Sequence, residues 1–487
     1  MNFAMVRYLI GWMLGVESLF LLLPMLTAIL YREPVVMAYF ATAVICLMFS
    51  ALFCHKRPEN TRFYAREGFV TVALCWIVLA LTGALPFMFS GEIPFVVDAL
   101  FETVSGFTTT GATILSDVEA LSHASLLWRS LTHWVGGMGV LVFMLIVLPL
   151  AGGQTIHLMR AESPGPSVNK LSPHLRDTAM YLYGIYFGMT VLEIVLLMLG
   201  GMPLFDAACT SMATAGTGGF GIWNSSIAYY DSYYLQGVVT IFMILFGINF
   251  SVYFLLLMRR WKNAFRIEEV RVYLGVIIAS SVLIAINVRP MFSSFFQSFH
   301  HAAFQVASII TTTGYATVDF NTWPTFSKAI LVALMFIGGC AGSTAGGIKV
   351  ARVVILQKVS VSEMRRMLHP NAVPAIQFEG KPLNERSIRG VHLFLAVYLM
   401  VFVASCLLVS LEQLDLVTTF TAVAACINNV GPGLEIVGPM GNFSSFSPWS
   451  KLLLSFDMLV GRLEIFPMLL LFAPSIWKRR LPSRRLV

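Results

Sequence analysis

Four short tracts of this 487-residue chain place glycine beside threonine or asparagine in otherwise apolar surroundings. They read DALFETVSGFTTTGAT from Asp98 to Thr113, DAACTSMATAGTGGFG from Asp206 to Gly221, HAAFQVASIITTTGYA from His301 to Ala316 and TTFTAVAACINNVGPG from Thr418 to Gly433. From these starts, each tract has a glycine thirteen residues on, at Gly111, Gly219, Gly314 and Gly431. Two glycines adjoin in the second tract, so its register stays open between Gly218 and Gly219. The chemistry such tracts can do is cation coordination. A ring of backbone carbonyls can replace an ion's hydration shell, and glycine adopts the φ/ψ values needed to aim them inward. Asp98, Glu102 and Asp206 fall early in their tracts, away from the glycines, so the lining is neutral. Divalent ions favour carboxylate oxygens. A neutral cage suits a weakly hydrated monovalent cation such as K+, and it separates K+ from Na+ less sharply.

These tracts need elements to carry them to one axis. The chain is 57% hydrophobic and 12% charged, with a mean hydropathy of +0.79, far from a soluble domain. Ten apolar runs are long enough to span a bilayer, at roughly 8–30, 35–54, 69–90, 128–150, 178–201, 234–258, 271–289, 326–350, 391–411 and 450–477. With both termini in the cytoplasm, 26 of the 32 Lys and Arg fall on cytoplasmic segments, as the positive-inside rule requires. The same map puts the four tracts outside. After two N-terminal helices (1–68), the chain therefore divides into four span–loop–span repeats, at 69–177, 178–270, 271–390 and 391–487. The expected fold class is all-α integral membrane, with four pore loops around a pseudo-fourfold axis. Each loop enters as a half-helix and returns as extended backbone, which membrane depth tolerates only where protein or water surrounds it. The half-helix C-termini point inward, and their partial negative charge favours a cation at the focus.

The run Ile337–Lys349 reads IGGCAGSTAGGIK and holds five glycines between Gly338 and Gly347. Each glycine disfavours helix by about 1 kcal/mol relative to alanine, so this span should break at mid-membrane. Close helix packing through small residues is the alternative. No GK[ST] follows, which excludes a phosphate-binding loop. Arg462 lies inside the last span, where a charge needs a cavity or a partner; Asp457 and Glu464 are the nearby candidates for a buried ion pair. Asn249, in FGINFS, ends the corresponding helix of the second repeat. Glu17, Glu193 and His133 are lone polar residues in spans and read as satisfied core contacts rather than proton relays. The seven cysteines are scattered without ligand spacing, so neither a disulfide framework nor a zinc site is implied. The net charge of +7 sits at the ends of apolar runs and orients the protein, so it does not indicate nucleic-acid binding. Arg7 and the apolar run after it lack a cleavage pattern and read as a retained first helix. No Ser/His, paired-Asp or HExxH constellation is present, which argues against an enzyme.

On the motifs SGFTTTGA (105–112), AGTGGF (215–220), TTTGY (311–315) and NNVGPG (428–433), the chain resembles the Trk/Ktr/HKT superfamily of K+ transporters, and within it the TrkH/TrkG membrane subunits of bacterial Trk uptake systems. The resemblance covers essentially the whole chain, including the two N-terminal helices. It departs in the second loop, where members commonly show Ser before TGGF. It implies K+ uptake through one pore per subunit in the bacterial inner membrane. The implied selectivity filter comprises Thr109, Thr110, Gly111, Thr217, Gly218, Gly219, Thr312, Thr313, Gly314, Asn429, Val430 and Gly431. Within it, K+ is held at Thr110, Gly111, Gly218, Gly219, Thr313, Gly314, Val430 and Gly431. The implied gate beneath it comprises Gly338, Gly339, Gly342, Ser343, Thr344, Gly346, Gly347 and Lys349, with Asn249 and Arg462 beside them. The family pairs as a homodimer and works with a cytoplasmic TrkA-type nucleotide-binding partner; the basic loops 259–271 and 351–389 could dock it. No cofactor is implied in this chain beyond K+ itself as the transported ion. A rocking secondary transporter, coupled to H+ or Na+, is the alternative, although such transporters usually show paired inverted repeats.

Overall fold

The computed structural model describes residues 1–59, 65–139, 175–264, 266–369 and 376–477. The expected basic loop at 160–176 and the cytoplasmic tail therefore lie wholly or mostly outside the described residues, as do parts of the loops at 55–68 and 351–389. Among the described residues, structure is almost entirely helical, with one two-residue hairpin pairing Gln377–Phe378 with Lys381–Pro382.

Two N-terminal helices, α1 (Phe3–Tyr31) and α2 (Val36–Cys54), pack against each other. Four units then follow, each with an outer helix, a short pore helix and an inner helix. The first is α3 (Ala65–Gly83) continued by α4 (Leu85–Ser90), then α5 (Val96–Phe107) and α6 (His123–Gly137). The second is α7 (Leu175–Leu199), α8 (Leu204–Gly216) and the pair α9 (Tyr233–Phe246) and α10 (Phe250–Leu257). The third is α11 (Glu268–Asn287), α12 (Phe295–Ile310), α13 (Thr325–Ile337) and α14 (Val350–Leu368). The fourth is α15 (Glu385–Val409), α16 (Leu416–Ile427), α17 (Pro448–Arg462) and α18 (Phe466–Leu471).

Among the described residues, six helices are long and apolar enough to cross a membrane: Phe3–Tyr31, Val36–Cys54, Glu67–Ser90, Met180–Leu199, Glu268–Asn287 and Glu385–Glu412. The inner helices differ from the expected unbroken spans. The run at 234–258 bends by 93° between α9 and α10. The run at 450–477 breaks after Arg462, where Glu464 and Ile465 take φ of 53° and 71°. α6 ends at Gly137 with Gly139 at φ 78°, and the rest of the expected 128–150 span lies outside the described residues. α13 ends at Ile337, where the glycine tract predicts a break. All four inner helices thus stop at corresponding places. Where polar caps are present, serine starts them: Ser122, Ser232 and Ser447 each accept an amide of the first turn.

The packing closes a ring. Each pore helix touches the inner helix of its own unit and that of the preceding one: α5 lies on α6 and α17, α8 on α9 and α6, α12 on α13 and α9, and α16 on α17 and α13. α1 packs beside this ring, on α3 and α6. Its outward face exposes Leu19, Leu23, Leu26 and Leu30, which suits lipid contact. Glu33, in the α1–α2 turn, joins the hairpin to the first unit. Its carboxylate accepts the His123 amide at 2.7 Å and the Ala124 amide at 3.1 Å, and meets His123 Nδ1 at 2.9 Å. A carboxylate at the N-terminus of α6 satisfies orphan donors and complements the helix dipole. Glu33→Ala should therefore lower stability by about 1–2 kcal/mol. Thermal unfolding in detergent checks this, and an unchanged midpoint would refute the cap.

Candidate ion pathway

Each pore helix ends in the same way. A residue in the left-handed region follows the helix: Thr109 at φ 55°, Thr217 at 55°, Thr312 at 57° and Asn429 at 56°. Two residues later comes a glycine of positive φ: Gly111 at 80°, Gly219 at 75°, Gly314 at 83° and Gly431 at 96°. The amide between them reaches back five residues to the helix end. Thr110 donates to Ser105 O at 2.9 Å, Gly218 to Ala213 O at 2.9 Å, Thr313 to Ser308 O at 2.8 Å and Val430 to Ala425 O at 2.8 Å. This is a Schellman closure, repeated four times. It also fixes the open register in the second loop: Gly219 corresponds to the other three glycines, and Gly218 occupies the place of Thr110, Thr313 and Val430.

The four loops abut in a closed order. Gly111 lies against Gly218 O, Gly219 against Thr313 O, Gly314 against Val430 O and Gly431 against Thr110 O. A Cβ on Gly431 would sit 2.6 Å from that oxygen, and on the other three glycines it would sit closer still. Both backbone conformation and space therefore require glycine there. The four glycines also line one cavity of about 90 Å3. Threonine hydroxyls brace the loops: Thr108 Oγ1 meets Thr110 Oγ1 at 2.8 Å, and Thr311 Oγ1 meets Thr313 Oγ1 at 2.7 Å. Asn429 Nδ2 ties the fourth loop to the first, donating to Thr110 Oγ1 at 3.0 Å and to Met458 O at 2.9 Å.

Behind this ring lies a polar scaffold that sequence reasoning did not assign. Glu102 is not remote from the glycines. Its carboxylate accepts Thr113 Oγ1 at 3.0 Å and the Ile114 amide at 3.1 Å, and pairs with Arg129 Nε at 2.9 Å. Both side chains are buried. Arg129 also donates to Gly221 O at 3.0 Å and stacks 4.0 Å over Phe220. It thereby joins the exits of the first and second loops. One turn on, His133 joins the last turn of α5 to the second loop: Nδ1 meets Gly106 O at 2.7 Å, and Nε2 accepts the Phe220 amide at 3.2 Å. These contacts make it a neutral core histidine. Glu17 accepts Thr82 Oγ1 at 2.6 Å, and Glu193 is fully buried. Asp98 pairs with Lys451 at 2.7 Å, while Asp206 accepts Trp223 Nε1 at 3.2 Å.

On the inner side, the glycine tract of the third unit lies directly against the loops. Gly346 N donates to Thr312 Oγ1 at 2.7 Å. Thr344 Oγ1 reaches Phe246 O at 3.2 Å, and Cys340 N reaches Gly247 O at 3.0 Å. Positive φ at Gly338, Gly342 and Gly347 lets the chain fold back, so that Gly338 meets Gly347. Gly339 and Ser343 pack inside this fold, where Ser343 Oγ donates to Cys340 O at 2.7 Å. The 93° bend of the second inner helix is part of the same contact. Phe250 N, freed from helical bonding, donates to Gly342 O at 3.0 Å, and Asn249, which caps α10 through Ser251 N at 2.9 Å, sits against Gly342. Lys349, the N-cap residue of α14, folds its Nζ back onto the Ala345 and Gly346 carbonyls.

Arg462 holds the tract from the fourth unit. It donates to Thr344 O at 2.8 Å, to Gly137 O at 2.8 Å and to Gly136 O. The last two are carbonyls of the final turn of α6, where a cation is favoured; Gly136 O also accepts the Gly139 amide at 3.1 Å. The two acids considered for it are held elsewhere: Asp457 accepts Ser405 Oγ at 2.8 Å, and Glu464 pairs with Arg352. The tract, Arg462 and Gly137–Gly139 together line a second cavity of about 150 Å3. The twelve residues of the expected filter lie in the four abutting loops, and the ten of the expected gate lie in or against the Gly338–Lys349 stretch, which Gly346 N joins to the third loop through Thr312 Oγ1.

The TrkH family, described as cation transport proteins, matches residues 35–479. The Trk system potassium uptake protein TrkH of Salmonella typhimurium is 39% identical over 485 residues, which cover 98% of this chain and 100% of that protein. The potassium uptake protein TrkG of Escherichia coli is 36% identical over 483 residues, covering 97% and 98%. The crystal structure of the potassium transporter TrkH from Vibrio parahaemolyticus superposes with a TM-score of 0.88 at 33% identity, over 98% of this chain and 100% of that one.

Removing one partner of a buried ion pair leaves an uncompensated charge. Glu102→Ala should therefore cost about 3–5 kcal/mol of stability, against less than 1 kcal/mol for a substitution at the exposed Glu119. Denaturation of the two variants side by side in detergent checks this. Equal midpoints would show that the pair is not what anchors the first and second loops.

Proposed function

The chain belongs to the TrkH family of cation transport proteins and is not an enzyme, and we propose that it takes up K+ through one pore per subunit. The observation that carries this reading is the closed ring of Thr110, Gly218, Thr313 and Val430 carbonyls, each set against the preceding loop's glycine. Carbonyl oxygens held at fixed separation by four identical helix-end closures can replace water around a dehydrated ion. The C-termini of α5, α8, α12 and α16 run directly into these loops, which adds partial negative charge at the focus. In this reading Thr109–Gly111, Thr217–Gly219, Thr312–Gly314 and Asn429–Gly431 form the filter.

The Gly338–Gly347 tract, with Lys349, Asn249 and Arg462, is the gate. It lies across the inner end of the ring, and its glycines carry few side-chain contacts of their own, so a modest change in its external hydrogen bonds can move it. The protein sits in the bacterial inner membrane with both termini in the cytoplasm. Each of the four pore repeats, bounded as in the sequence reading, supplies one quadrant. A homodimer is the working assembly. A TrkA-type nucleotide-binding partner regulates it by docking on the basic loops 259–271 and 351–389, the second of which follows the gate through α14.

Flux of K+ and Na+ from protein-containing liposomes tests the filter. Wild type should pass K+ faster than Na+, and Gly314→Ser should abolish that preference, because a Cβ at this position meets Val430 O. Failure of the wild type to pass K+, even with Ser343–Gly346 deleted, would sink the pore and favour a rocking transporter. For the gate, Arg462→Ala should raise K+ flux without changing the K+/Na+ ratio, since it frees Thr344 O below the ring and leaves the loops intact. Loss of selectivity in that variant would place Arg462 in the filter's support instead.

A further inference from the structure

One side chain staples the Gly338–Gly347 tract to the start of the helix that follows it. Glu269, the second residue of α11, is 2% exposed. Its Oε1 accepts the Ala341 amide at 2.6 Å and the Ala351 amide at 3.0 Å. Ala341 lies just after the tract leaves α13, and Ala351 is the second residue of α14, where the tract re-enters helix. The Ala351 amide is one of the orphan donors at a helix start. The N-cap residue there is Lys349, whose side chain has no acceptor to offer. The acceptor comes instead from another element, and the same oxygen also takes the Ala341 amide from within the tract. The preceding residue strengthens the joint: Glu268 pairs with Lys358, two turns further along α14, at 2.6 Å.

We propose that Glu269 is the positioning residue of the gate. Its one carboxyl oxygen ties Ala341, within the tract, to the first turn of α14, adding to the backbone bond from Val350 N to Gly339 O at 3.1 Å, and this keeps Gly346 bonded to Thr312 beneath the ring. The proposal rests on the gate reading. It predicts that an acceptor oxygen at this reach is what matters. Glu269→Gln keeps such an oxygen, Glu269→Asp withdraws it by one methylene, and Glu269→Ala removes it.

Four proteins decide the matter in KCl-loaded liposomes, alongside a fifth that lacks Ser343–Gly346. Glu269→Ala and Glu269→Asp should raise K+ flux by roughly tenfold or more, tenfold being the factor that one of the two lost buried hydrogen bonds corresponds to, with the K+/Na+ ratio kept. Glu269→Gln should stay close to wild type. A second readout reports the tract itself. Cys340 is buried within it, and in a background without the other six cysteines its labelling by a membrane-impermeant maleimide should quicken in parallel with flux. If Glu269→Ala does not fold, the Asp and Gln pair carries the test alone. Equal opening in the Gln and Asp variants would overturn the proposal, because an acceptor oxygen would then not be what holds the tract. Wild-type flux and labelling in all three variants, with raised flux on deletion of Ser343–Gly346, would overturn it while leaving the gate standing. No rise on that deletion either would remove the gate and this role together.

Discussion

Everything in the pathway depends on how closely four backbone strands approach one another. A glycine in each loop lies against a carbonyl oxygen of the next, in a circuit that returns to its start. That contact admits no side chain, and it holds only if all four loops leave their helices at the same angle. The angle is set locally, by the left-handed residue and the six-to-one hydrogen bond at each helix end. Position is set globally, because each pore helix is wedged between two inner helices belonging to successive units. Local geometry and ring packing therefore specify the same structure, the consistency that a unique fold requires.

The charged residues serve this constraint. A buried Glu102–Arg129 pair would cost stability in isolation. Here each partner also satisfies backbone or hydroxyl groups just past the glycines of the first two loops. His133 links the last turn of α5 to the second loop by a neutral ring. Arg462 completes the end of α6 while holding the tract below. Arg129 reaches the cavity that the four glycines line, while the glycine–carbonyl contacts of the ring itself involve no charged group; charge beside the ring fixes its shape.

Much of this was legible in the sequence. The thirteen-residue offset to each glycine, the semi-apolar half-helices and the five-glycine tract all follow from composition and spacing, because glycine and chain length impose hard limits on backbone geometry. The breaks in the second and fourth inner helices were not legible. FGINFS and GRLEIF are apolar enough for continuous span, and hydropathy reports length rather than straightness. The bend at Asn249 depends on Phe250 N finding Gly342 O, 92 residues along the chain, and no local signal encodes that partner. The assignment of Gly219 over Gly218 likewise rests on dihedral angles. Glu102 read as a helix-start acid, because its partners lie across a turn and on a different helix.

The ring is written once in a single chain rather than copied from identical subunits. A tetrameric channel that changes one filter residue changes four at once, and symmetry makes every alteration wholesale. Here the four quadrants already differ: glycine precedes the key glycine in the second, valine in the fourth, and asparagine replaces threonine before it. In the proposed filter, such a ring can be retuned a quarter at a time, so affinity for an ion would be adjustable in finer increments than strict fourfold symmetry allows.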